Sequence, residues 1–386
     1  MFHIAGEKEV LEGKITDVYF NRTLQILKEK NINPWVKAEF VAKSLPDQWS
    51  WAVLAGLEEI IHLLRDLPVK VRIMKEGTVF YPHQPVLEIE GYYQDFCIYE
   101  TAILGLMCQA TGIATKASRY KKLAGDHLVM SFGARRMHPA IAPMIERSAF
   151  IGGCDGVSVI KGGEIIGEDP LGTIPHALIL CIGSTVDSVK AFDEVISPDV
   201  NRVALIDTFN DEKFECLNVA EALGEKLYAV RFDTPSSRRG DFHHILQETR
   251  WELDIRGFEG VKFFVSGGIK EEEIPQLNPL VDAYGIGTSI SNAPVVDFSM
   301  DIVEVDGKPL AKRGKCSGTK NVLRCTNCHE DIILPFNKEF QNCECDGKYE
   351  KLLIPGIDEG EVLYDLPEPG EIRKYVLEQM KHLPDL

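Results

Sequence analysis

The chain lacks an excess of positive charge and lacks a long hydrophobic run, and each absence excludes a class of partner. Among its 386 residues, 42 Lys and Arg stand against 59 Asp and Glu, which gives a net charge of −17. Such a balance offers no basic face to a nucleic-acid backbone. No apolar run approaches the ~20 residues of a membrane span, and the first residues lack the pattern of a signal peptide. We therefore expect a cytoplasmic protein with no nucleic-acid or membrane partner.

Internal repeats, low-complexity segments and a convincing pair of catalytic nucleophile and base are also missing. With 45% hydrophobic and 26% charged residues, the chain has the composition of an ordinary globular protein. Its length suits two or three domains.

Cysteine is not scarce, and its distribution is uneven. Of ten cysteines, five are scattered through apolar or glycine-rich stretches and five fall between Cys316 and Cys345. Two close thiol pairs in this segment match a tetrahedral zinc site, with disulfides as the alternative, which a reducing cytoplasm disfavours. Four thiolates leave no open position for substrate, so we expect a structural zinc. The predicted ligands are Cys325, Cys328, Cys343 and Cys345, and Cys316 and His329 are alternative members of the shell.

The middle of the chain alternates apolar runs with polar or glycine clusters at the spacing of a strand plus a helix. This rhythm predicts an α/β domain, a (β/α) barrel over residues 125–292. Fewer than eight strands are convincing, so the barrel is expected to be irregular or incomplete. The strands are predicted at Leu128–Ser131, Gly156–Val159, Ala177–Cys181, Val203–Ile206, Tyr228–Arg231, Phe263–Val265 and Ala283–Ile286.

The remaining segments are assigned by the same periodicities. Residues 1–124 mix amphipathic helices, one of them at Trp51–Leu64, with alternating strands, which predicts an α+β sandwich domain ending in a linking helix. Residues 293–386 form a C-terminal segment that carries the small zinc-binding module at about 312–350.

Two glycine clusters follow the last two predicted barrel strands. In barrels of this kind the loops after those strands commonly bind phosphate through backbone N–H groups. Gly267, Gly268 and Gly287 allow the backbone to approach an anion closely, and the hydroxyl of Thr288 adds a donor where a helix begins. Ordinary turns are the alternative for either cluster alone, but two in successive units favour a phosphate site.

Charged and aromatic residues follow the other predicted strands. Phe132, Arg135 and Arg136 combine a ring that can stack on a planar ligand with guanidinium groups that suit phosphate or carboxylate, although a solvated basic turn would read the same way. Asp207 and Asp233 could accept sugar hydroxyls or hold Mg²⁺ through water, or could simply cap helices.

His176 lies in a Gly-Thr-Ile-Pro-His stretch just before an apolar run. A lone histidine is more often structural than catalytic, so the residue types alone do not assign it a role.

Taken in order, these motifs resemble those of the nicotinate phosphoribosyltransferases, within the type II phosphoribosyltransferase fold shared with quinolinate and nicotinamide enzymes. The trailing cysteines resemble a zinc-knuckle-like module found in some archaeal members. The motifs that carry the resemblance are Thr16-Asp-Val-Tyr19, Phe132-Gly-Ala-Arg135-Arg136, Gly153-Cys-Asp155, Gly172-Thr173-Ile-Pro-His176, Ile206-Asp207-Thr208, Arg231-Phe-Asp233, Ser266-Gly267-Gly268 and Gly287-Thr288.

The resemblance implies where the phosphoribosyl donor binds. The 5′-phosphate of phosphoribosyl pyrophosphate is expected on the glycine clusters, with Thr173 also in the substrate site. The ribose hydroxyls are expected near Asp233, and pyrophosphate with Mg²⁺ near Arg231 and Asp207.

The resemblance also implies an acceptor site shared between subunits. The pyridine ring would stack on Phe132, and Tyr19 of a neighbouring subunit would cover its other face. Arg135 and Arg136 would hold anionic groups of the base and the diphosphate. We therefore expect a homodimer with composite sites, or a higher homo-oligomer.

The implied activity is the transfer of phosphoribose to the ring nitrogen of nicotinate, giving nicotinate mononucleotide and pyrophosphate in NAD biosynthesis. Catalysis would involve Arg135, Asp207 and Asp233, and ATP would phosphorylate His176 transiently to couple hydrolysis to product formation. Asp155 departs from the nicotinate pattern and resembles the nicotinamide enzymes, so nicotinamide is the alternative base. Quinolinate transfer and a non-catalytic zinc-bearing interaction protein are more distant alternatives.

Overall fold

The computed structural model describes residues 2–340 and 342–386, and the chain divides into two compact units. The first comprises the chain up to Thr115 together with Pro294–Asp385, and the second is Lys116–Ala293. The predicted domains were residues 1–124, 125–292 and 293–386. Instead, Phe298–Val305 pairs antiparallel with Trp35–Ala42 along its length, so the C-terminal segment completes the N-terminal sheet.

The first unit is built on a seven-stranded sheet in which each strand runs antiparallel to its neighbours. A two-stranded sheet, Ala52–Val53 with Val79–Phe80, and a three-stranded sheet, Asp331–Pro335, Lys320–Cys325 and Tyr349–Lys351, accompany it. In order across the large sheet the strands are Lys308–Pro309, Phe298–Val305, Trp35–Ala42, Pro85–Tyr92, Lys70–Ile73, Ile354–Asp358 and Glu361–Val362.

Helices of the first unit cover this sheet with apolar side chains. Leu57–Leu64 buries five of its eight residues in the core. This helix is shorter than the predicted Trp51–Leu64, because it begins only after Gly56, which has a φ of 94 and follows an extended segment. A Cβ on Gly56 would lie 2.4 Å from the Leu106 carbonyl oxygen. The other helices of this unit are Glu7–Leu11, Val18–Glu29, Tyr93–Phe96 and Pro369–Met380, with 3₁₀ turns at Pro46–Gln48 and Cys97–Tyr99. The long helix Glu100–Ala124 begins in the first unit and ends in the second.

The helical stretch Tyr93–Ala124 is long and apolar enough to cross a membrane by length and composition alone. Half of its most apolar window is buried within the protein. Moreover, the hydroxyls of Thr111 and Thr115 accept hydrogen bonds from the backbone N–H groups of Ala55 and Val53. The stretch is therefore a core helix.

The second unit contains a curled sheet of six parallel strands, a half-barrel that does not close. The predicted incomplete barrel is thus confirmed. In order across the sheet the strands are Gly156–Val157, Leu128–Ser131, Ala283–Ile286, Lys262–Val265, Leu227–Phe232 and Arg202–Leu205.

One predicted barrel strand is wrong. The run Ala177–Cys181 lies in a helix, His176–Ile182, which begins after Pro175 and ends at Gly183 with φ 88. A short apolar run has no periodicity that separates a buried strand from a helix turn, and only the flanking proline and glycine mark the helix. The other helices of this unit are Ala142–Ile151, Ile160–Ile166, Thr185–Val195, Glu212–Leu223, Ser236–Arg239, Phe242–Asp254, Ile274–Leu277 and Thr288–Ser291, with 3₁₀ turns at Ala134–Arg136, Gly224–Lys226 and Glu271–Glu273.

Candidate active site

A cavity of about 930 Å³ lies where the parallel strands of the second unit end. The carboxyl ends of parallel strands meet at one edge of a sheet, so residues far apart in sequence converge there. The cavity is lined by ten residues that the sequence had selected: Phe132, Arg135, Arg136, Thr173, Arg231, Asp233, Gly267, Gly268, Gly287 and Thr288.

Arg231 organises the centre of this cavity. Its Nε donates to the Ser266 hydroxyl at 3.0 Å, and its Nη1 donates to the Thr173 hydroxyl at 2.7 Å. Nη2 lies 3.2 Å from Oδ1 of Asp233, and the guanidinium carbon is 5.4 Å from the centre of the Phe132 ring. The cation is therefore held in a fixed orientation before any ligand arrives.

His176 stands between two carboxylates. Its Nε2 lies 3.7 Å from Oδ2 of Asp207 and 3.6 Å from Oδ2 of Asp233, while its Nδ1 is 3.0 Å from the Thr208 hydroxyl. The structure thus brings the predicted histidine and both predicted aspartates into one cluster. The carboxylates are placed to stabilise positive charge on the imidazole, and Thr208 fixes the orientation of the ring.

The two carboxylates differ in their electrostatic setting. Burial raises the pKa of Asp207, against the lowering effect of His176. Burial also acts on Asp233, but the charge of Arg231 and hydrogen bonds from Ser266 and Arg231 hold the pKa of Asp233 below its ordinary value. Among the described residues, the buried Oδ1 of Asp207 has no hydrogen-bond partner.

The two glycine clusters adopt backbone conformations that explain their composition. Gly267 and Gly268 have φ values of 85 and 88, a region that disfavours side chains. A Cβ on Gly267 would lie 2.7 Å from the Asp233 carbonyl oxygen. By contrast, a Cβ on Gly268 would meet nothing within 4 Å, so its backbone faces open space in the cavity wall.

Four predicted site residues do not line this cavity: His176 and Asp207, which belong to the cluster described above, and Asp155 and Tyr19. Asp155 forms an ion pair with Lys121 at 3.0 Å and accepts the backbone N–H of Val129 at 2.8 Å, which ties it to the start of the neighbouring strand. Tyr19 belongs to the first unit, where it lies in the helix Val18–Glu29 with a side chain that is 55% exposed.

Several lining residues were not selected from the sequence. Ser158 and Val159, which follow the edge strand Gly156–Val157, and Leu171 contribute to the wall. Beneath them lies Glu146, a fully buried carboxylate on the helix Ala142–Ile151. No sequence signal marked Glu146, which is followed directly by Arg147 and Ser148 in its helix, and none marked Ser158 or Val159.

The four cysteines of the C-terminal module converge as predicted. Their Sγ atoms all lie within 4.8 Å of one another, with 3.4 Å between Cys325 and Cys345 and 3.6 Å between Cys328 and Cys343. A tetrahedral zinc with Zn–S bonds of ~2.3 Å would set the sulfurs roughly 3.8 Å apart. All ten cysteines are free thiols, so the cluster could hold a metal ion.

Comparison with known proteins places the chain in a family. The profile of the quinolinate phosphoribosyl transferase N-terminal domain matches residues 17–111, and that of the C-terminal domain matches residues 113–301. The structure described as nicotinate-nucleotide pyrophosphorylase from Pyrococcus furiosus is 56% identical, covers 99% of this chain and 98% of its own, and has a TM-score of 0.97.

Two further relatives carry the nicotinate name. A nicotinate phosphoribosyltransferase of Mycobacterium tuberculosis is 27% identical over 356 residues, covering 81% of this chain and 78% of its own. The human nicotinic acid phosphoribosyltransferase, at 18% identity, shares the fold with a TM-score of 0.77, over 96% of this chain and 94% of its own.

The half-barrel, the cavity at its strand ends and these matches define a type II phosphoribosyltransferase. By its two domains the chain belongs to the quinolinate phosphoribosyl transferase family of this fold, and its curated relatives are named nicotinate phosphoribosyltransferase. It is an enzyme of phosphoribosyl transfer, which excludes the alternative of a non-catalytic zinc-bearing protein.

Proposed function

We propose that the protein transfers phosphoribose from phosphoribosyl pyrophosphate to the ring nitrogen of nicotinate, giving nicotinate mononucleotide and pyrophosphate. The observation that carries this proposal is the cavity itself, which places two glycine turns, three arginines and an aromatic ring around one space. The Pyrococcus relative is described as a nicotinate-nucleotide pyrophosphorylase, a name that contains the nucleotide proposed here as the product.

The donor half of the site is formed by the turns after the strands Lys262–Val265 and Ala283–Ile286. The backbone of Gly268 and Gly287 and the hydroxyl of Thr288 would bind the 5′-phosphate. Asp233, kept ionised by Arg231, would accept the ribose hydroxyls.

Arg231 would hold the departing pyrophosphate. Its charge is already oriented by Ser266 and Thr173, so little reorganisation is needed as negative charge develops on the leaving group. The ring nitrogen of the base then attacks C1 of the ribose as the C1–O bond to pyrophosphate breaks, with no covalent enzyme intermediate in that step.

The acceptor half would be formed by Phe132, Arg135 and Arg136. Arginine forks suit a carboxylate, which favours nicotinate over its amide. The resemblance of Asp155 to nicotinamide enzymes was the specific argument for the amide, and its ion pair with Lys121 means that its charge does not face the cavity.

His176 would accept the phosphoryl group of ATP. Its position between Asp207 and Asp233 supports this role, because two carboxylates can stabilise the imidazolium that forms during phosphoryl exchange. Water is the final acceptor, so ATP hydrolysis is coupled to product formation rather than to the transfer of the base itself.

Metal ions have two proposed places. The unpartnered Oδ1 of buried Asp207 fits a cation site, and Mg²⁺ there would supply charge neutralisation for pyrophosphate. The four-cysteine cluster fits a structural zinc, held by Cys325, Cys328, Cys343 and Cys345.

The active form would be a cytoplasmic homodimer or higher homo-oligomer, in which Tyr19 of a neighbouring subunit completes the acceptor site. The exposure of this side chain and the free thiols support the proposal.

A panel of pyridine bases tests the proposal. Purified protein with phosphoribosyl pyrophosphate, Mg²⁺ and ATP is offered nicotinate, nicotinamide or quinolinate, and the nucleotide and pyrophosphate are measured. We expect nicotinate mononucleotide from nicotinate, at a rate that rises with ATP. Transfer to nicotinamide or to quinolinate alone, or no transfer at all, would reject the proposal.

A further inference from the structure

A buried carboxylate lies directly beneath one wall of the cavity. Glu146 on the helix Ala142–Ile151 has no solvent exposure. Its Oε2 accepts the backbone N–H of Ser158 at 2.6 Å and that of Val159 at 3.0 Å. Its Oε1 lies 3.4 Å from the hydroxyls of both Ser131 and Ser158. One side chain therefore connects the ends of two neighbouring parallel strands to the helix.

This arrangement is costly, which indicates that it serves a purpose beyond filling the core. Burying a carboxylate is unfavourable unless hydrogen bonds compensate, and the four donors around Glu146 are all neutral. Burial raises the pKa of Glu146 despite the lowering effect of those hydrogen bonds. An apolar side chain would be cheaper, but it could not accept two successive backbone N–H groups.

The groups that Glu146 holds line the cavity on one particular side. Ser158 and Val159 extend from the edge strand of the half-barrel, next to the strand that leads into Phe132. The glycine turns of the proposed phosphate site follow strands on the other side of that aromatic residue. Glu146 thus controls the wall beside the acceptor ring rather than the phosphate half.

We propose that Glu146 is a positioning residue for the pyridine acceptor, fixing the Ser158–Val159 wall against the Phe132–Arg136 turn so that the base fits between them. This inference rests on the proposed function for the identity of the acceptor. Glu146 itself does not touch substrate. It acts through the backbone geometry that its carboxylate imposes on the residues that do.

The packing behind Glu146 leaves it little freedom to move. Gly162, in the helix Ile160–Ile166, faces it so closely that a Cβ there would lie 2.8 Å from the Glu146 Cβ. The conformation of Gly162 is not in the left-handed region, so alanine could occupy the position only by displacing its neighbour. The substitution Gly162→Ala therefore perturbs the carboxylate without removing it.

The test compares three variants by steady-state kinetics. Glu146→Ala removes the acceptor atoms. Glu146→Gln is the conservative variant, since its amide oxygen can accept both N–H groups while its NH₂ donates to the serine hydroxyls. The matched control is Glu164→Gln, which neutralises an exposed glutamate of the adjacent helix that pairs with Lys161 on the surface.

We expect Glu146→Ala to raise KM for nicotinate at least tenfold while KM for phosphoribosyl pyrophosphate changes less than about threefold. Glu146→Gln should keep the KM for nicotinate within about threefold of that of the unmodified enzyme. The control Glu164→Gln should have the same KM as the unmodified enzyme. Equal increases in both KM values, or a Gln variant as impaired as the Ala variant, would overturn the proposal. If Glu146→Ala does not fold, Gly162→Ala decides, with the same selective rise expected.

A structural readout separates this inference from the proposed function. Amide hydrogen exchange at Ser158 and Val159 should accelerate in Glu146→Ala and stay slow in Glu146→Gln, whatever base the enzyme uses. If the enzyme transfers phosphoribose to none of the three bases, the proposed function fails, while the exchange result still tests whether Glu146 holds the Ser158–Val159 backbone. If transfer occurs but exchange is unchanged in Glu146→Ala, the positioning role of Glu146 is refuted and the proposed function stands.

Discussion

Replacing Arg231 with glutamine should impair donor binding far more than it impairs folding. The guanidinium makes contacts with Thr173, Ser266 and Asp233, and its side chain is 16% exposed. Glutamine keeps much of the length and some donor capacity but removes the charge. Asp233 would then lose its cationic partner in a partly buried site, which costs about 1–3 kcal/mol of stability by the usual penalty for an unpaired polar group.

The loss in activity can be estimated from the contacts that the charge would make with pyrophosphate. Each charge-assisted hydrogen bond contributes roughly 1.5–3 kcal/mol, and we expect one or two such bonds from this guanidinium to pyrophosphate. The total of roughly 1.5–6 kcal/mol corresponds to a reduction in kcat/KM on the order of 10- to 10,000-fold, since each ~1.4 kcal/mol is a factor of ten.

The assay is steady-state kinetics with varied phosphoribosyl pyrophosphate, supported by calorimetric titration of the same donor. Arg256→Gln is the matched control, because Arg256 is an exposed arginine that pairs with Glu252, four residues earlier in the chain. The reasoning is refuted if Arg231→Gln binds the donor within about threefold of the unmodified enzyme while remaining folded.

Four further predictions follow from the structure. His176→Ala should abolish stimulation by ATP, measured as product formed with and without ATP, whereas His243→Ala, at an exposed position, should keep it. Burial raises the pKa of Glu100 to about 7, so the folded state favours the neutral carboxyl and stability falls as pH rises from about 4.5 through 7. Glu100→Gln should therefore raise the melting temperature at pH 8, by a stabilisation of about 1–3 kcal/mol, and leave it nearly unchanged at pH 4. An equal effect at both pH values would contradict this prediction. Gly267→Ala should lower the free energy of unfolding by about 1–3 kcal/mol more than Gly257→Ala in denaturant titration, because both have φ near 85 but only Gly267 would clash with backbone. Metal analysis should find one zinc per chain, and its removal by a chelator should lower the melting temperature; no bound metal in protein prepared without chelator would refute the site.

The half-barrel and most of the cavity could be predicted from the sequence, because the polar and glycine residues that line the cavity directly follow the strands in short contiguous motifs. In the segments Phe132–Arg136 and Arg231–Asp233, the residues that line the cavity lie within a few positions of the end of a strand. The segment Ala177–Cys181 was misassigned because a short apolar run fits either a strand or a helix, and its capping residues lie outside it.

Side-chain direction is what the sequence could not supply. Asp155 follows a predicted motif but turns away to Lys121, and nothing local distinguishes that orientation from one facing the cavity. Glu146 is the opposite case, since its partners Ser158 and Val159 come from another strand and become neighbours only when the sheet forms. Tertiary partners of this kind cannot be read from periodicity.

The discontinuous first unit has a consequence for biosynthesis. Trp35–Ala42 emerges from the ribosome early, but its partner Phe298–Val305 is made only after the whole second unit has been translated. At ~5–20 residues per second, one edge of that central strand stays unpaired for roughly tens of seconds. The second unit, being continuous in sequence, can fold in this interval. An unpaired strand edge is a template for aggregation, so the nascent N-terminal segment is where chaperone assistance should matter most.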